Sequence, residues 1–393
     1  MTVRSSLRFN RQEWAGAFGD IGTDLPLITG MILAAGLDAA SVLTMYGLMQ
    51  VLTGLVYQRP MPVQPLKAVA TIVIAQKLTG PVIYGGGLAI AFVMFILTQT
   101  RLLDRLARVV PKCVVRGIQL GLGLNLALLA LKDYVGRDGT GGYVLAGVAF
   151  LLIMLLLDNK RFPAALVVIG LGLVYAFLFK INFADLKASA GFQLPGVRVP
   201  STQDMISGLL LLAIPQIPLS LGNSILATRQ INDDLFPHKP LTTRKIGLTY
   251  SLMNFINPFF GGIPVCHGSG GMMGHYTFGA RTGGSLLIYG GMYLILGLFF
   301  SQGFSKVIDI FPMPILGVIL FVEALALMTL VRDLQEKKND LWIAFMVGLM
   351  CCALPNGFVI GMVAGVCVYW FKFYPGFSAS GAGKTHRLRE GSK

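Results

Sequence analysis

Two stretches of this chain combine polar side chains with helix-breaking residues in a way that could hold an anion inside an apolar sequence. The first is Pro62-Val63-Gln64-Pro65-Leu66-Lys67-Ala68, and the second is Pro264-Val265-Cys266-His267-Gly268-Ser269-Gly270-Gly271. Pro65 suits the first position of a helix, where a missing N–H costs nothing. The glycines of the second stretch let a ligand approach the backbone closely. Each stretch therefore predicts a short extended segment running into a helix that starts inside an apolar run. Helix starts carry unpaired N–H groups and partial positive charge, so two of them facing one cavity would suit a negative ligand. Candidate contacts are Gln64, Lys67 and Ala68 in the first stretch, and Cys266, His267, Gly268, Ser269 and Gly270 in the second. Thr23, Gln216 and Asn223 join them from two other apolar runs interrupted by polar residues.

The two stretches end diverged copies of one unit. Tyr46, Leu48, Met49, Gln50, Pro62 and Val63 recur as Tyr250, Leu252, Met253, Asn254, Pro264 and Val265, and the Tyr-to-Pro spacing differs by two residues between copies. Interrupted apolar segments at matching places in two halves point to the midplane substrate site of a secondary transporter.

The elements that position these residues must cross a membrane. With 54% hydrophobic and 13% charged residues over 393 positions and a mean hydropathy of +0.70, the chain is too apolar for a soluble globule. Apolar runs predict spans near 15–35, 41–57, 64–78, 82–99, 112–131, 142–157 and 163–180. A second set lies near 204–228, 242–258, 266–280, 283–301, 310–330, 340–354 and 357–373. The expected fold is an all-α polytopic membrane protein of 14 transmembrane segments in a 7+7 inverted repeat, with short extended segments before half-helices 3 and 10. Residues 1–14 form the N-terminus, 15–180 the first repeat, 181–203 an extracytoplasmic linker, 204–373 the second repeat and 374–393 a tail.

A net charge of +14 fits a positive-inside bias better than a nucleic-acid partner, because the Lys and Arg sit in short clusters between apolar runs. Arg4, Arg8, Arg11, Lys112, Arg244, Lys245, Lys337 and Lys338 fall on the expected inside, and only Lys77, Lys132, Arg137, Lys180, Lys187, Arg198 and Lys306 on the outside. Both termini are expected in the cytoplasm of a bacterial cell, with no cleavable signal and the chain in the inner membrane. The five cysteines lack metal-ligand spacing, so neither metal nor cofactor is expected. No nucleophile or His/Asp/Glu grouping has the spacing of an enzyme.

Three carboxylates fall within or beside spans: Asp20, Asp24 and Glu323. Charge at that depth is expensive, so each either pairs with a base, for which Arg116 is available, or relays protons. Bland alternatives stand beside these roles. Pro and Gly often mark only a kink, His267 could be a core histidine, Ser269 a helix cap, and Gln216 and Asn223 glue between helices.

The chain resembles the molybdate transporter family related to sulfate permeases. The resemblance rests on Gly16-Ala17-Phe18-Gly19-Asp20-Ile21-Gly22-Thr23, on both interrupted stretches, and on Val115-Arg116-Gly117-Ile118-Gln119-Leu120-Gly121. Pro215-Gln216-Ile217-Pro218, Asp234-Leu235-Phe236-Pro237 and Phe278-Gly279-Ala280-Arg281-Thr282-Gly283-Gly284 extend it over nearly the whole chain. It implies the fold of uracil and sulfate permeases, without a STAS domain. Spans one to four with eight to eleven would form a core domain, and spans five to seven with twelve to fourteen a gate domain. It also implies molybdate import, with tungstate or sulfate as other tetrahedral dianions, protons as the coupling ion and elevator-type movement. A sulfate or broader oxyanion transporter, a nucleobase transporter of the same fold and a homodimer stay open.

Overall fold

The computed structural model describes residues 7–100, 102, 110–156, 164–179, 190–301 and 312–373. The predicted tail at 374–393, part of the linker and the Glu323 side chain lie outside the described residues. The chain is mostly helical. It runs α1 (Arg11–Ala17), α2 (Ile21–Ala35), α3 (Ala39–Tyr57), β1 (Val63–Pro65), α4 (Lys67–Gln76) and α5 (Gly80–Gln99). Then come α6 (Lys112–Leu129), α7 (Gly139–Leu156), α8 (Ala164–Phe179), α9 (Thr202–Leu235) and α10 (Thr243–Ile256). The series closes with β2 (Val265–His267), α11 (Ser269–Thr277), α12 (Gly284–Phe299), α13 (Met313–Thr329), α14 (Lys338–Ala353) and α15 (Gly357–Val368). Among the described residues five helices, α3, α5, α6 with its continuation to Tyr134, α7 and α9, are long and apolar enough to cross a membrane. Leu155, Val144 and Leu178 are among the apolar side chains left facing outward, as a lipid-facing surface requires.

Two departures from the sequence expectation have physical causes. The expected first span from 15 to 35 is broken at Phe18–Asp20. A β-carbon on Gly19 would lie 2.5 Å from the Gly274 carbonyl carbon, so the turn brings this backbone directly against α11. The expected eighth span from 204 to 228 is longer, Thr202–Leu235, and contains π-helical turns at Leu209–Ala213 and Ser220–Ala227. Those turns flank Pro215 and Pro218, and π turns absorb the carbonyls that prolines leave without a donor.

Packing falls into two groups. α12 lies along α3, and α9 and α10 lie along α5, while α6 packs on α13, α14 and α15. The α3–α12 contact is close because both sides are glycine: a β-carbon on Gly47 or Gly290 would sit 2.6 Å from the other's carbonyl oxygen. The stretch before α9 is extended and bound to several helix ends. Gly191 N–H donates to Phe299 O at 2.9 Å, Gln193 N–H to Leu298 O at 2.9 Å, Gly196 N–H to Ser41 Oγ at 3.2 Å and Arg198 N–H to Phe259 O at 2.7 Å.

The short helix α1 docks through Glu13, which is 1% exposed. Its Oε1 accepts the backbone N–H groups of Arg281 and Thr282, both at 2.9 Å, and its Oε2 accepts that of Ser285 at 3.1 Å. A carboxylate from another segment thus caps the start of α12. Glu13→Ala is expected to lower unfolding stability by about 1–3 kcal/mol, and Glu13→Gln by less, in thermal unfolding of the detergent-solubilised protein.

Candidate functional site

β1 and β2 pair antiparallel, with Val63 opposite His267, Gln64 opposite Cys266 and Pro65 opposite Val265. Strands this short leave backbone groups open, and side chains of the repeated unit close them. Gln50 Nε2 donates to Val63 O at 2.7 Å, and Val63 N–H donates to Gln50 Oε1 at 3.0 Å. Asn254 does the same in the second copy, with Nδ2 to Val265 O at 2.6 Å and Val265 N–H to Oδ1 at 2.9 Å. Tyr46 and Tyr250 also match. The Tyr46 hydroxyl lies 2.5 Å from Asp24 Oδ2 of α2, and the Tyr250 hydroxyl 2.8 Å from Ser220 Oγ of α9. Asp20-x-x-x-Asp24 on one side and Gln216-x-x-x-Ser220 on the other are therefore corresponding polar steps.

These steps meet the starts of the half-helices. Gln216 Oε1 accepts from Ala68 N–H at 3.1 Å and Val69 N–H at 3.3 Å, closing the first turn of α4, and its Nε2 donates to Ser220 Oγ at 3.0 Å. Asp20 takes the equivalent place on α11. Its Oδ2 accepts from Gln64 Nε2 at 2.6 Å and lies so close to Gly271 that a β-carbon there would overlap it. A β-carbon on Gly268 would likewise overlap the Gln64 side chain. The carboxylate sits where the positive end of a helix favours negative charge.

Beside this buried floor lies a more open rim. Asn223 and Gly270 are exposed and Thr23, Lys67 and Ser269 half-buried, and a β-carbon on Gly270 would meet nothing within 4 Å. Lys67, at the first position of α4, acts electrostatically on Asp24 and Cys266. The Cys266 thiol lies against Ser224 of α9. The structure thus gathers Thr23, Gln64, Lys67, Ala68, Gln216, Asn223, Cys266, Gly268, Ser269, Gly270, Asp20 and Asp24 around the two half-helix starts.

His267 is brought to the same strand but turns the other way, because successive strand residues face opposite sides. Its Nε2 lies 2.7 Å from Thr249 Oγ1, and its ring stands edge-on to Tyr57 at 5.4 Å. Arg116 is not among the site residues. It donates to Gln119 Oε1 at 2.8 Å and forms an ion pair with Asp333, which Lys112 joins at 3.1 Å. Sequence reasoning missed Glu13, His275, Tyr289 and Tyr293. Tyr289 is fully buried beside Asp24, its hydroxyl donating to Asp24 Oδ2 at 3.1 Å, and the buried His275 ring stands edge-on to Tyr289 at 5.7 Å. Among the described residues no group of three or more His, Cys, Asp or Glu is arranged for a metal ion.

A family model described as "Molybdate transporter of MFS superfamily" matches residues 12–126 and 208–327. Molybdate transporter 1 of Arabidopsis thaliana is 33% identical over 412 residues, spanning 92% of this chain and 89% of its own length. Molybdate transporter 1 of Chlamydomonas reinhardtii is 26% identical, spanning 96% of this chain and 94% of its own. The solved transmembrane domain of the cyanobacterium bicarbonate transporter BicA superimposes with a TM-score of 0.65 at 16% identity, over 91% of this chain and 97% of that one. The murine anion transporter Slc26a9 does so with a TM-score of 0.65 at 14% identity, over 93% of this chain and 69% of that one. At these identities the structures show a shared membrane fold.

Gln50→Ala and Asn254→Ala each strip two bonds from a buried strand and should each cost about 1–3 kcal/mol of stability; Asn223→Ala, on the open rim, should cost nothing measurable in the same thermal unfolding. Asp333, in the connection after α13, is held below the ordinary carboxylate range by bonds from Arg116 and then Lys112. A lowered carboxyl stabilises the fold above its unfolded pKa and loses that contribution as pH falls through the folded one. Asp333→Asn should therefore lower the unfolding midpoint at neutral pH and leave it unchanged in acid, where wild type has lost the same contribution.

Proposed function

Because the chain belongs to the molybdate transporter family, a family of transporters and not of enzymes, we propose that it is a secondary active transporter importing molybdate. Protons are the coupling ion, and movement is elevator-type. The observation that carries this reading is the Asp20 carboxylate lodged at the first turn of α11 and bonded to Gln64.

A tetrahedral dianion leaves a strongly held hydration shell and needs several N–H and O–H donors in exchange. Gln64, Ser269, Lys67 and the open backbone at Gly270 supply them. An ionised Asp20 already satisfies that positive helix end, so it competes with the dianion for the place and for the Gln64 amide. Protonation of Asp20 removes the repulsion and frees Gln64, which makes anion binding and proton binding one event. A dianion entering an inside-negative cell also works against roughly 2.3 kcal/mol per charge per 100 mV, so accompanying cations are required.

The elevator reading assigns α1–α5 and α9–α12 to the moving core and α6–α8 and α13–α15 to the gate, in keeping with the two packing groups. Fourteen crossings in a 7+7 inverted repeat and cytoplasmic termini are part of this reading, supported by the charge pattern and by the matched roles of Gln50 with Asn254 and Tyr46 with Tyr250. The bacterial inner membrane rests on the sequence alone, since the named relatives are plant and algal.

The test is molybdate uptake into proteoliposomes with and without an inward proton gradient, with tungstate, sulfate and uracil as competitors. Uptake should be gradient-driven, blocked by tungstate and weakly affected by sulfate; equal inhibition by sulfate reassigns the substrate. Asp20→Asn should make uptake indifferent to external pH, and a retained pH dependence removes Asp20 from this role. Gly271→Ala, whose methyl overlaps Asp20, should slow uptake about tenfold or more.

A further inference from the structure

Away from the two half-helix starts, the turn between α2 and α3, the start of α5 and the extended stretch before α9 border an open cavity of about 450 Å³. Gly36, Asp38, Gly80, Tyr84, Arg198 and Pro200 are among the residues that line it. Tyr84 is 6% exposed, and its hydroxyl has no hydrogen-bond partner among the described residues. A buried hydroxyl left without a partner is destabilising, and phenylalanine would fill the same space without that cost. The hydroxyl lies at the first turn of α5, where a β-carbon on Gly80 would come within 3.4 Å of it. Thr79, the N-cap of α5, makes no side-chain bond to that turn, and Pro81 has no N–H to offer.

Arg198 supplies a positive charge to the same cavity. Its backbone N–H is fixed to Phe259 O at 2.7 Å, while its exposed guanidinium makes no ion pair or hydrogen bond among the described residues. Arg198 and Asp38 both lie close enough to Tyr84 to act on it electrostatically. Asp38 is already committed. Its Oδ2 accepts from Ser41 N–H at 3.1 Å and Ser41 Oγ at 2.6 Å, capping α3, and its Oδ1 accepts from Gln193 Nε2 at 3.4 Å. The positive end of α3 offsets that carboxylate, whereas the start of α5 has no such partner. A guanidinium, a phenolic O–H and an uncapped helix start are what this cavity presents, and each of them favours an anion.

The cavity is distinct from the half-helix starts. α4 begins at Lys67, and its ten residues end at Gln76, shortly before α5, so the two places lie about 15 Å apart along that helix at 1.5 Å per residue. We propose that this cavity is a second binding site for tetrahedral oxyanions, held by Arg198, Tyr84 and the first turn of α5. A site of this kind raises the anion's concentration at the face of the protein where the stretch between the two copies lies. Its role in uptake rests on the transport reading given above; its existence as a binding site does not.

Calorimetric titration of the purified protein with molybdate should show two binding events in wild type and one in Arg198→Gln and in Tyr84→Phe, the second of which keeps the ring and its packing. Lys77→Gln, which removes an exposed cation at the end of α4 outside the cavity lining, should keep both. In proteoliposomes at low salt, Arg198→Gln should raise the KM for molybdate about threefold or more, an effect that resides in KM rather than kcat and shrinks as ionic strength rises. A single binding event in wild type, two in Arg198→Gln and Tyr84→Phe, or an equal loss in Lys77→Gln overturns the second site. Loss of the second event with an unchanged KM keeps the site and overturns its role in uptake. Two binding events in a protein that transports no molybdate overturn the transport reading and leave the oxyanion site standing.

Discussion

Backbone polar groups at membrane depth have no water to turn to, and every irregular segment there must be completed by the protein itself. In this chain two three-residue strands lie buried among the helices, each running into a helix start, and two amides complete the strands. Gln50 and Asn254 each offer one donor and one acceptor to a single residue, imitating the next strand of a sheet. With the strands held, Gln64 and Cys266 face one side and Val63 and His267 the other. The position of each candidate ligand contact follows from that pairing.

The two halves use the same geometry with different chemistry. On the Gln216 side the half-helix start is closed by a neutral amide backed by Ser220 and Tyr250. On the Asp20 side it is closed by a carboxylate, with a second carboxylate one turn away among three tyrosines. A neutral cap is indifferent to protons. A charged one changes its hold on the helix start whenever it gains or loses one, so of these two half-helix starts the one at α11 has the cap that can titrate.

Much of this was legible in the sequence where local chemistry dictates it. The Gly268 to Gly271 run announces a helix start, and α11 begins at Ser269; Pro65, read as a first helical residue, is instead the last residue of β1, paired with Val265, and α4 begins two residues later at Lys67. The recurrence of Gln50 as Asn254 was visible, yet its purpose was not, because an amide in an apolar helix reads equally as helix glue until the strand it clamps is seen. Long-range placements were illegible for the same reason. Glu13 looks like a solvated residue of a polar terminus, and only the fold brings the N–H groups of Arg281, Thr282 and Ser285 to it. His267 seemed aimed at the cavity because sequence gives its position in the strand but not which face the pairing turns inward. His275 has no spacing signature at all, since its ring neighbour Tyr289 comes from another helix.

The extended stretch from Gly191 to Arg198 joins the two copies, but its bonds run sideways to the ends of α12 and α10 and to the start of α3. A tether that only spanned a distance would let those helices drift apart. A tether stitched at four points acts as a brace, since displacing any one of these helix ends relative to the others requires breaking backbone bonds. Any bending at this end must therefore break backbone hydrogen bonds, which keeps the ends of α10 and α12 and the start of α3 in a fixed relation.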